Sequence, residues 1–390
     1  MYLPFFCLVL FSCGKGGDGN NTQPQKDPQI SISDAYLFEG NSGTTSFPFT
    51  VTLDHASSKI VTVYYSTAEG SAGSGDYTSV SNQLLTFQPN ETSKTININV
   101  TADDIEEADE QFSVVLSGPA NASLAKSTAV ATIRNDDTKA AFNNTGFDAP
   151  TSYPGYSLVW SDEFNGTSLD ASAWTFETGN NGWGNNELEN YTDRPDNLSL
   201  QDGKLVIHAL KENYGGSSYT SARIKTQGKK EFKYGRIDIR AILPKGKGVW
   251  PALWMLGSNI NTVGWPMSGE IDIMELLGQD PTKAYGTLHY GASAATHGQK
   301  GSSYILQSGS FNDEFHVFSM EWKQDQIKLY IDNNLYLTVN STDVGSNPYP
   351  FNQPFFFIFN VAVGGNWPGS PDATTTFPQW MIVDYVRVYQ

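Results

Sequence analysis

Cysteine is nearly missing: the 390 residues hold two, Cys7 and Cys13, both at the start of the chain. A bond between them would staple nothing, so the rest folds without disulfides. No apolar run approaches the ~18–20 residues that a membrane-spanning helix needs. Basic residues are few, 24 Lys and Arg against 41 Asp and Glu, which leaves a net charge of −17. Such a chain cannot neutralise a phosphate backbone, which argues against a nucleic-acid partner. The five histidines do not cluster at zinc-ligand spacing, and no GxGxxG, P-loop or CxxC pattern occurs.

Aromatic residues, at 13%, and glycines, at 36, are plentiful. That balance suits an all-β chain with tight turns. The length exceeds one ordinary domain and predicts two or three units. Residues 1–12 (MYLPFFCLVLFS) are apolar and run directly into Cys13. They read as an export signal whose cysteine takes a lipid, so Cys13 is the expected lipidation site. A plain signal peptide is the alternative, because the stretch has no Lys or Arg before its apolar run and carries bulky Phe11 near the cleavage point. Residues 13–29 are rich in Gly, Asn, Gln and Pro and read as a flexible tether.

Residues 30–137 alternate in short runs such as Phe47–Leu53 and Lys94–Val100. Six or seven such strands predict a small β-sandwich of immunoglobulin-like type. This block has fourteen acids and four bases, a net −10, with the acids gathered in loops. Glu39, Asp76, Asp103, Asp104, Glu110 and Asp136 are candidate Ca²⁺ ligands, since calcium takes many oxygens in flexible geometry. A merely solvated acidic end is the competing reading. Residues 138–155 lose the alternation and read as a linker. Residues 156–390 resume strand patterning and form the larger unit.

Within that unit the stretch Gly269–Gly278 (GEIDIMELLG) stands apart. Acids alternate with isoleucines from Glu270 to Ile273, which predicts a strand with Glu270 and Asp272 on one face. Strict alternation would turn Glu275 away. One β-bulge between Asp272 and Glu275 brings it back. Three carboxylates on one face repel unless a function uses them. Paired carboxylates of unequal pKa cleave glycosidic bonds, and a third can tune them. Just upstream, Trp250, Ala252 and Trp254 share a strand face, and indoles stack on the apolar faces of sugar rings.

EIDIMELLG (270–278) and WPALWMLG (250–257) together resemble glycoside hydrolase family 16, in its bulged E-x-D-x-x-E branch. Further markers follow in order: WSDEF (160–164), GWGNNELENYT (182–192), ARIKT (222–226), TLHYG (287–291), NVAVGGNWPG (360–369) and VDYVRVY (383–389). The set is most similar to the laminarinase-type endo-β-1,3-glucanases. The acid-rich N-terminal block resembles a Calx-beta module. The resemblance implies a jelly-roll β-sandwich for residues 156–390.

By the same resemblance, Glu270 is the nucleophile, Glu275 the acid/base and Asp272 the residue that tunes the nucleophile. It places His289 on a neighbouring strand near the acid/base. Asn186 and Arg223 take the positions that bind sugar hydroxyls, and Arg223 alternatively forms a structural ion pair. Trp250, Trp254 and Trp265 are the implied stacking platforms, with Trp183 and Trp367 as weaker candidates. A structural calcium is implied at the side chain of Asp384 and backbone oxygens near Glu163 and Gly203. No cofactor is implied for the reaction.

The activity so implied is endo-acting, retaining hydrolysis of β-1,3-glucan. Mixed-linkage β-1,3-1,4-glucan or a marine galactan are the alternative substrates. A surface glucan-binding protein without catalysis is the non-enzyme alternative. The expected partner is a β-glucan, and a neutral polysaccharide needs no electrostatic steering. The chain is expected to be a monomer, exported, and held at a bacterial surface or outer membrane only through a lipid on Cys13, or otherwise secreted.

Overall fold

A computed structural model describes residues 26–137 and 139–390. Cys13, the expected export signal and most of the expected tether lie outside the described residues. The chain divides into two compact units. Among the described residues, one contains 26–37, Thr44–Thr101 and Glu110–Ile133, and the other contains Phe38–Gly43, Ala102–Asp109 and Arg134–Gln390.

The N-terminal sandwich has nine strands rather than six or seven. One sheet has the order Ser93–Ala102, Gly43–Leu53, Gln29–Ile32, Ser123–Lys126. The other has the order Ala35–Phe38, Thr128–Arg134, Glu110–Ala120, Val61–Ala68, Gln83–Phe87. Alternation sets the core: Phe47, Phe49 and Val51 are buried from one strand, and Ile96, Ile98 and Val100 from another. The extra strands are four-residue pieces whose side chains are mostly exposed, so they carry little period-2 signal.

The larger unit is two eight-stranded sheets, as the jelly-roll expectation requires. The outer sheet runs Leu198–Gln201, Lys204–Ala209, Gln379–Tyr389, Gly235–Ile242, His316–Lys323, Gln326–Ile331, Asn334–Asn340. Leu158–Asp162 also pairs with Gln379–Tyr389. The site-bearing sheet runs Thr175–Glu177, Arg223–Lys225, Phe355–Val363, Val249–Gly257, Glu270–Leu276, Lys283–Tyr290, Gly298–Ile305, and Glu231–Phe232 also pairs with Phe355–Val363. Its inner face joins the main core through Leu253, Met255, Ile271, Ile273, Phe357, Phe359 and Val361. Its outer face is therefore free to carry polar and aromatic groups.

The stretch expected as a linker, 138–155, is not detached from the body it precedes. Ala140 and Phe142 pack with Val206, Phe315 and Ile382, and Phe147 and Ala149 pack with Val317 and Tyr385. Arg240 Nε donates to the carbonyl of Phe147 at 2.7 Å, and Tyr385 OH accepts from Ala149 N at 3.0 Å. Four apolar residues without a common period leave no pattern in the sequence, yet each finds a place on the outer sheet. A chain begun at Thr151 loses all of these contacts and leaves buried Arg240 short of acceptors. It should melt several degrees below a chain begun at Lys139 in a thermal scan, and equal melting temperatures would restore the linker reading.

Candidate active site

The acid strand, Glu270–Leu276, lies between Val249–Gly257 and Lys283–Tyr290. Glu270 faces His289, Asp272 faces Thr287 and Glu275 faces Tyr285. The partner strand advances two residues at each step, while the acid strand advances two and then three. The ladder shifts between Asp272 and Glu275. This is the expected bulge, and it returns Glu275 to the face of the other two acids. Ile271, Ile273, Met274 and Leu276 all point into the core.

The acids open into a cleft of about 700 Å³. Trp250, Ala252, Trp254, Asn360, Ala362, Thr287 and His289 line it from the neighbouring strands. A smaller groove of about 450 Å³, with Tyr285, Ser302 and Ser303, continues past Thr287 and Trp367. Both tryptophans of the floor are fixed through their indole N–H groups. Trp250 Nε1 donates to Glu275 Oε1 at 3.0 Å, and Trp254 Nε1 donates to Asn360 Oδ1 at 2.8 Å. Trp265 is 44% exposed and packs on His297 with ring centroids 4.6 Å apart. Trp367 packs edge-on against Trp250 and Tyr285.

His289 sits by different acids from those expected. Its Nε2 is 3.2 Å from Asp272 Oδ2 and 3.7 Å from Glu270 Oε1. The register decides this, because Tyr285, not His289, opposes Glu275. Its Nδ1 lies 2.9 Å from Nε2 of His297, a residue the sequence reading missed. A hairpin pairing Tyr290 with Gly298 brings the two histidines together, and the turn-rich spacing between them is the signal that could have found it.

Arg223 forms the ion pair that was its alternative reading, and it also lines the cleft. Nε donates to Glu177 Oε2 at 2.7 Å, while the guanidinium lies between the Trp183 and Trp254 rings at 4.7 and 4.9 Å. Asn186 is displaced from its expected role. It is exposed, with φ +57°, and its amide nitrogen donates to Asn366 Oδ1. Its neighbour Asn185 lines the cleft instead, together with Glu187. A left-handed residue in the turn reverses which side chain points inward, and alternation cannot foresee that. Asn360 was also missed, although it opens the NVAVGGNWPG run and alternates with Ala362.

Burial is the first cause of every pKa shift in the trio. It pushes Glu270 up to about 8, assisted by the charge of Asp272 and opposed by His289, Arg223 and the Trp265 N–H. One fifth of the Glu270 side chain still meets solvent, which tempers that rise. Asp272, only 5% exposed, is also pushed up to about 8. Glu275 is raised well above the carboxylate range by burial and by both neighbouring acids. Glu270 has the largest set of compensating charges and donors, so the rise is most strongly opposed there. Glu275 keeps its proton longest. The arrangement therefore places carboxyls of unequal proton affinity side by side.

Two candidate metal positions differ in how well they fit. Glu39, Asp136 and Asp137 bring one oxygen each within 4.8 Å of one another. Asp137 Oδ2 is buried without a hydrogen-bond partner, and Glu39 is pushed up to about 7 by burial and the acids around it. These groups fit a calcium ion, with Asp137 added to the expected set. Elsewhere Asp104 pairs with Lys139 and Asp103 accepts from Ile105 N, whereas Asp76 and Glu110 of the expected set bring one carboxylate oxygen each within 4.8 Å of one another. The second position does not fit. Asp384, expected as a calcium ligand beside Glu163 and Gly203, is bound by Lys204 Nζ at 2.9 Å and Arg240 Nη1 at 2.5 Å. Glu163 is paired with Arg387 through both oxygens. Basic side chains already supply the positive charge there.

Residues 179–386 match the model of the glycosyl hydrolases family 16, more than half of the chain. The chain belongs to that family. Residues 26–137 match the Calx-beta domain. Among family 16 relatives, glucan endo-1,3-beta-glucosidase A1 of Niallia circulans is 44% identical over 60% of this chain and 38% of its own length. Beta-glucanase of Rhodothermus marinus is 42% identical over 63% of this chain and 89% of its own. The laminarinase catalytic domain of Thermotoga maritima superposes with a TM-score of 0.57 at 50% identity, covering 60% of this chain and 98% of that one. The chain thus spans well under two thirds of the Niallia relative and most of the other two.

The charge of Asp272 raises both of its neighbours. Asp272→Asn should therefore lower the titration midpoints of Glu270 and Glu275 together, read by carboxyl ¹³C NMR. Midpoints that stay put would mean burial alone sets them.

Proposed function

We propose that the protein is an endo-acting glycoside hydrolase that cleaves β-1,3-glucosidic bonds of laminarin-like glucans with retention of configuration. The observation that carries this reading is the graded trio of acids on a bulged strand, set in a tryptophan-lined cleft. The names of the Niallia and Thermotoga relatives support β-1,3-glucan as the substrate class.

Glu270 attacks the anomeric carbon as the glycosidic C–O bond breaks, giving a covalent glycosyl-enzyme. Glu275 gives its proton to the leaving oxygen, and the Trp250 N–H holds its Oε1 throughout. Glu275, now a carboxylate, takes a proton from water, which displaces Glu270 and frees the sugar. His289 steadies the charge that shifts on Glu270, and the charge of Asp272 tunes it in the opposite direction. No cofactor takes part. The cleft continues into a second groove, so chain can extend on both sides of the cut, as internal cleavage requires. Both glutamates being in place argues against a protein that only binds glucan.

The protein acts outside the cell as a monomer. Residues 1–12 export it and a lipid on Cys13 holds it at the surface. Calcium at Glu39, Asp136 and Asp137 relieves the repulsion among those carboxylates and has no part in the chemistry.

Laminarin should give mixed short oligosaccharides early, with the fresh reducing end as the β-anomer by NMR. Glucose alone from the outset, or an α-anomer, would overturn the reading. Glu270→Ala should fall to background and recover with azide as an α-glycosyl azide. Glu275→Ala should lose roughly 10²–10⁴-fold on laminarin. EDTA should lower a melting transition, because an ion bound only by the folded state stabilises it by mass action. A calorimetric trace unchanged by EDTA rules out the calcium.

A further inference from the structure

The bulge that turns Glu275 toward the cleft leaves one residue of the acid strand without a cross-strand neighbour on either side. Toward Val249–Gly257, Leu253 pairs with Met274 and Trp254 with Asp272. Toward Lys283–Tyr290, Thr287 pairs with Asp272 and Tyr285 with Glu275. Ile273 is skipped in both ladders. A skipped residue is free to shift, and with it goes the aim of the next side chains along the strand.

The Ile273 carbonyl meets a group from the other sheet. Tyr336, on the outer-sheet strand Asn334–Asn340, crosses the sandwich and donates its hydroxyl to that oxygen at 3.4 Å. The room for it is made by Gly286, the residue opposite the bulge. A Cβ at Gly286 would stand 2.2 Å from the Tyr336 hydroxyl oxygen and 2.5 Å from Leu329 Cδ1. Gly286 belongs to the core-facing set of its strand with Ala284, Leu288 and Tyr290. The missing side chain is thus replaced by a hydroxyl from across the core. Burial and the nearby Asp272 and Glu275 hold that hydroxyl protonated, so it acts as a donor.

We propose that Tyr336 is a positioning residue: its hydroxyl, seated over Gly286, pins the Ile273 carbonyl and so fixes the bulge that aims Glu275 at the leaving oxygen. The inference rests on the glycosidase reading above, with Glu275 as proton donor. Tyr336 touches no substrate. Its effect passes through two residues of backbone, and sub-ångström errors in the placement of a proton donor are costly.

The test compares wild type with Tyr336→Phe, which keeps the ring and removes the hydroxyl. Two substrates separate positioning from general damage. Laminarin needs a proton on its leaving oxygen. A 2,4-dinitrophenyl β-glycoside of a short β-1,3-glucan does not, and its first-turnover burst of dinitrophenolate reports attack by Glu270 alone. The expected result for Tyr336→Phe is a roughly tenfold fall in kcat on laminarin. KM should stay within about twofold and the aryl burst rate should match wild type. Gly286→Ala presses a methyl onto the hydroxyl from the other side and should shift the ratio of the two rates in the same direction. Equal losses on both substrates, or no loss on either, would show that Tyr336 only packs and overturn the proposal. If wild type releases the aryl group but leaves every polysaccharide intact, the polysaccharidase reading fails first, and this inference with it.

Discussion

Electrostatic repulsion among Glu270, Asp272 and Glu275 is the constraint that the larger unit is built around. Three carboxylates on neighbouring positions of one strand cannot all be anionic in a partly desolvated cleft. The surroundings do not relieve them equally. His289, Arg223 and the Trp265 indole oppose burial and Asp272 at Glu270, whereas at Glu275 only His289 and the Trp250 indole stand against burial and two acids. The inequality is what makes the group useful. A symmetric set would share protons without assigning a nucleophile and an acid.

The fold supplies that inequality through register. The bulge aligns three acids with alternate residues of the next strand, so one imidazole at His289 reaches two of them and not the third. On the other flank the same shift brings Trp250 within reach of Glu275. Beneath the cleft a buried chain runs from Trp254 through Asn360 and Tyr191 to Glu187, at 2.8, 3.0 and 3.1 Å. Each indole N–H is thereby occupied by protein, which leaves the ring to meet sugar.

What was legible in the sequence follows from which interactions are local. Alternation of acids and isoleucines over four residues fixes the strand and its face. The single extra residue before Glu275 fixes the bulge. Period-2 runs fix the two β units, while the jelly-roll topology needed the resemblance. The rest depends on partners far along the chain. The position of His289 needed the register, and the exchange of Asn186 for Asn185 needed a left-handed turn residue. Asp384 reads as a calcium ligand until Lys204 and Arg240, each more than a hundred residues away, fold onto it. The docking of Ala140, Phe142, Phe147 and Ala149 has no periodicity and could not be read at all.

The raised carboxyls also tie function to stability, with a definite sign. Glu270 binds its proton more tightly in the native state than its ordinary value of 4.5 allows, up to about 8. The native state is therefore the better proton binder between those pH values, and ionisation of the site lowers stability as pH rises through that window. Glu275 acts in the same direction. Glu177 works the opposite way: lowered by Arg223 and Lys225 despite its burial, it adds stability once pH exceeds its ordinary value. Arg223 serves both sets, as the partner that secures Glu177 and as a charge that favours the Glu270 anion. The ion pair that holds the edge of the cleft sheet is thus part of the field that favours the Glu270 anion.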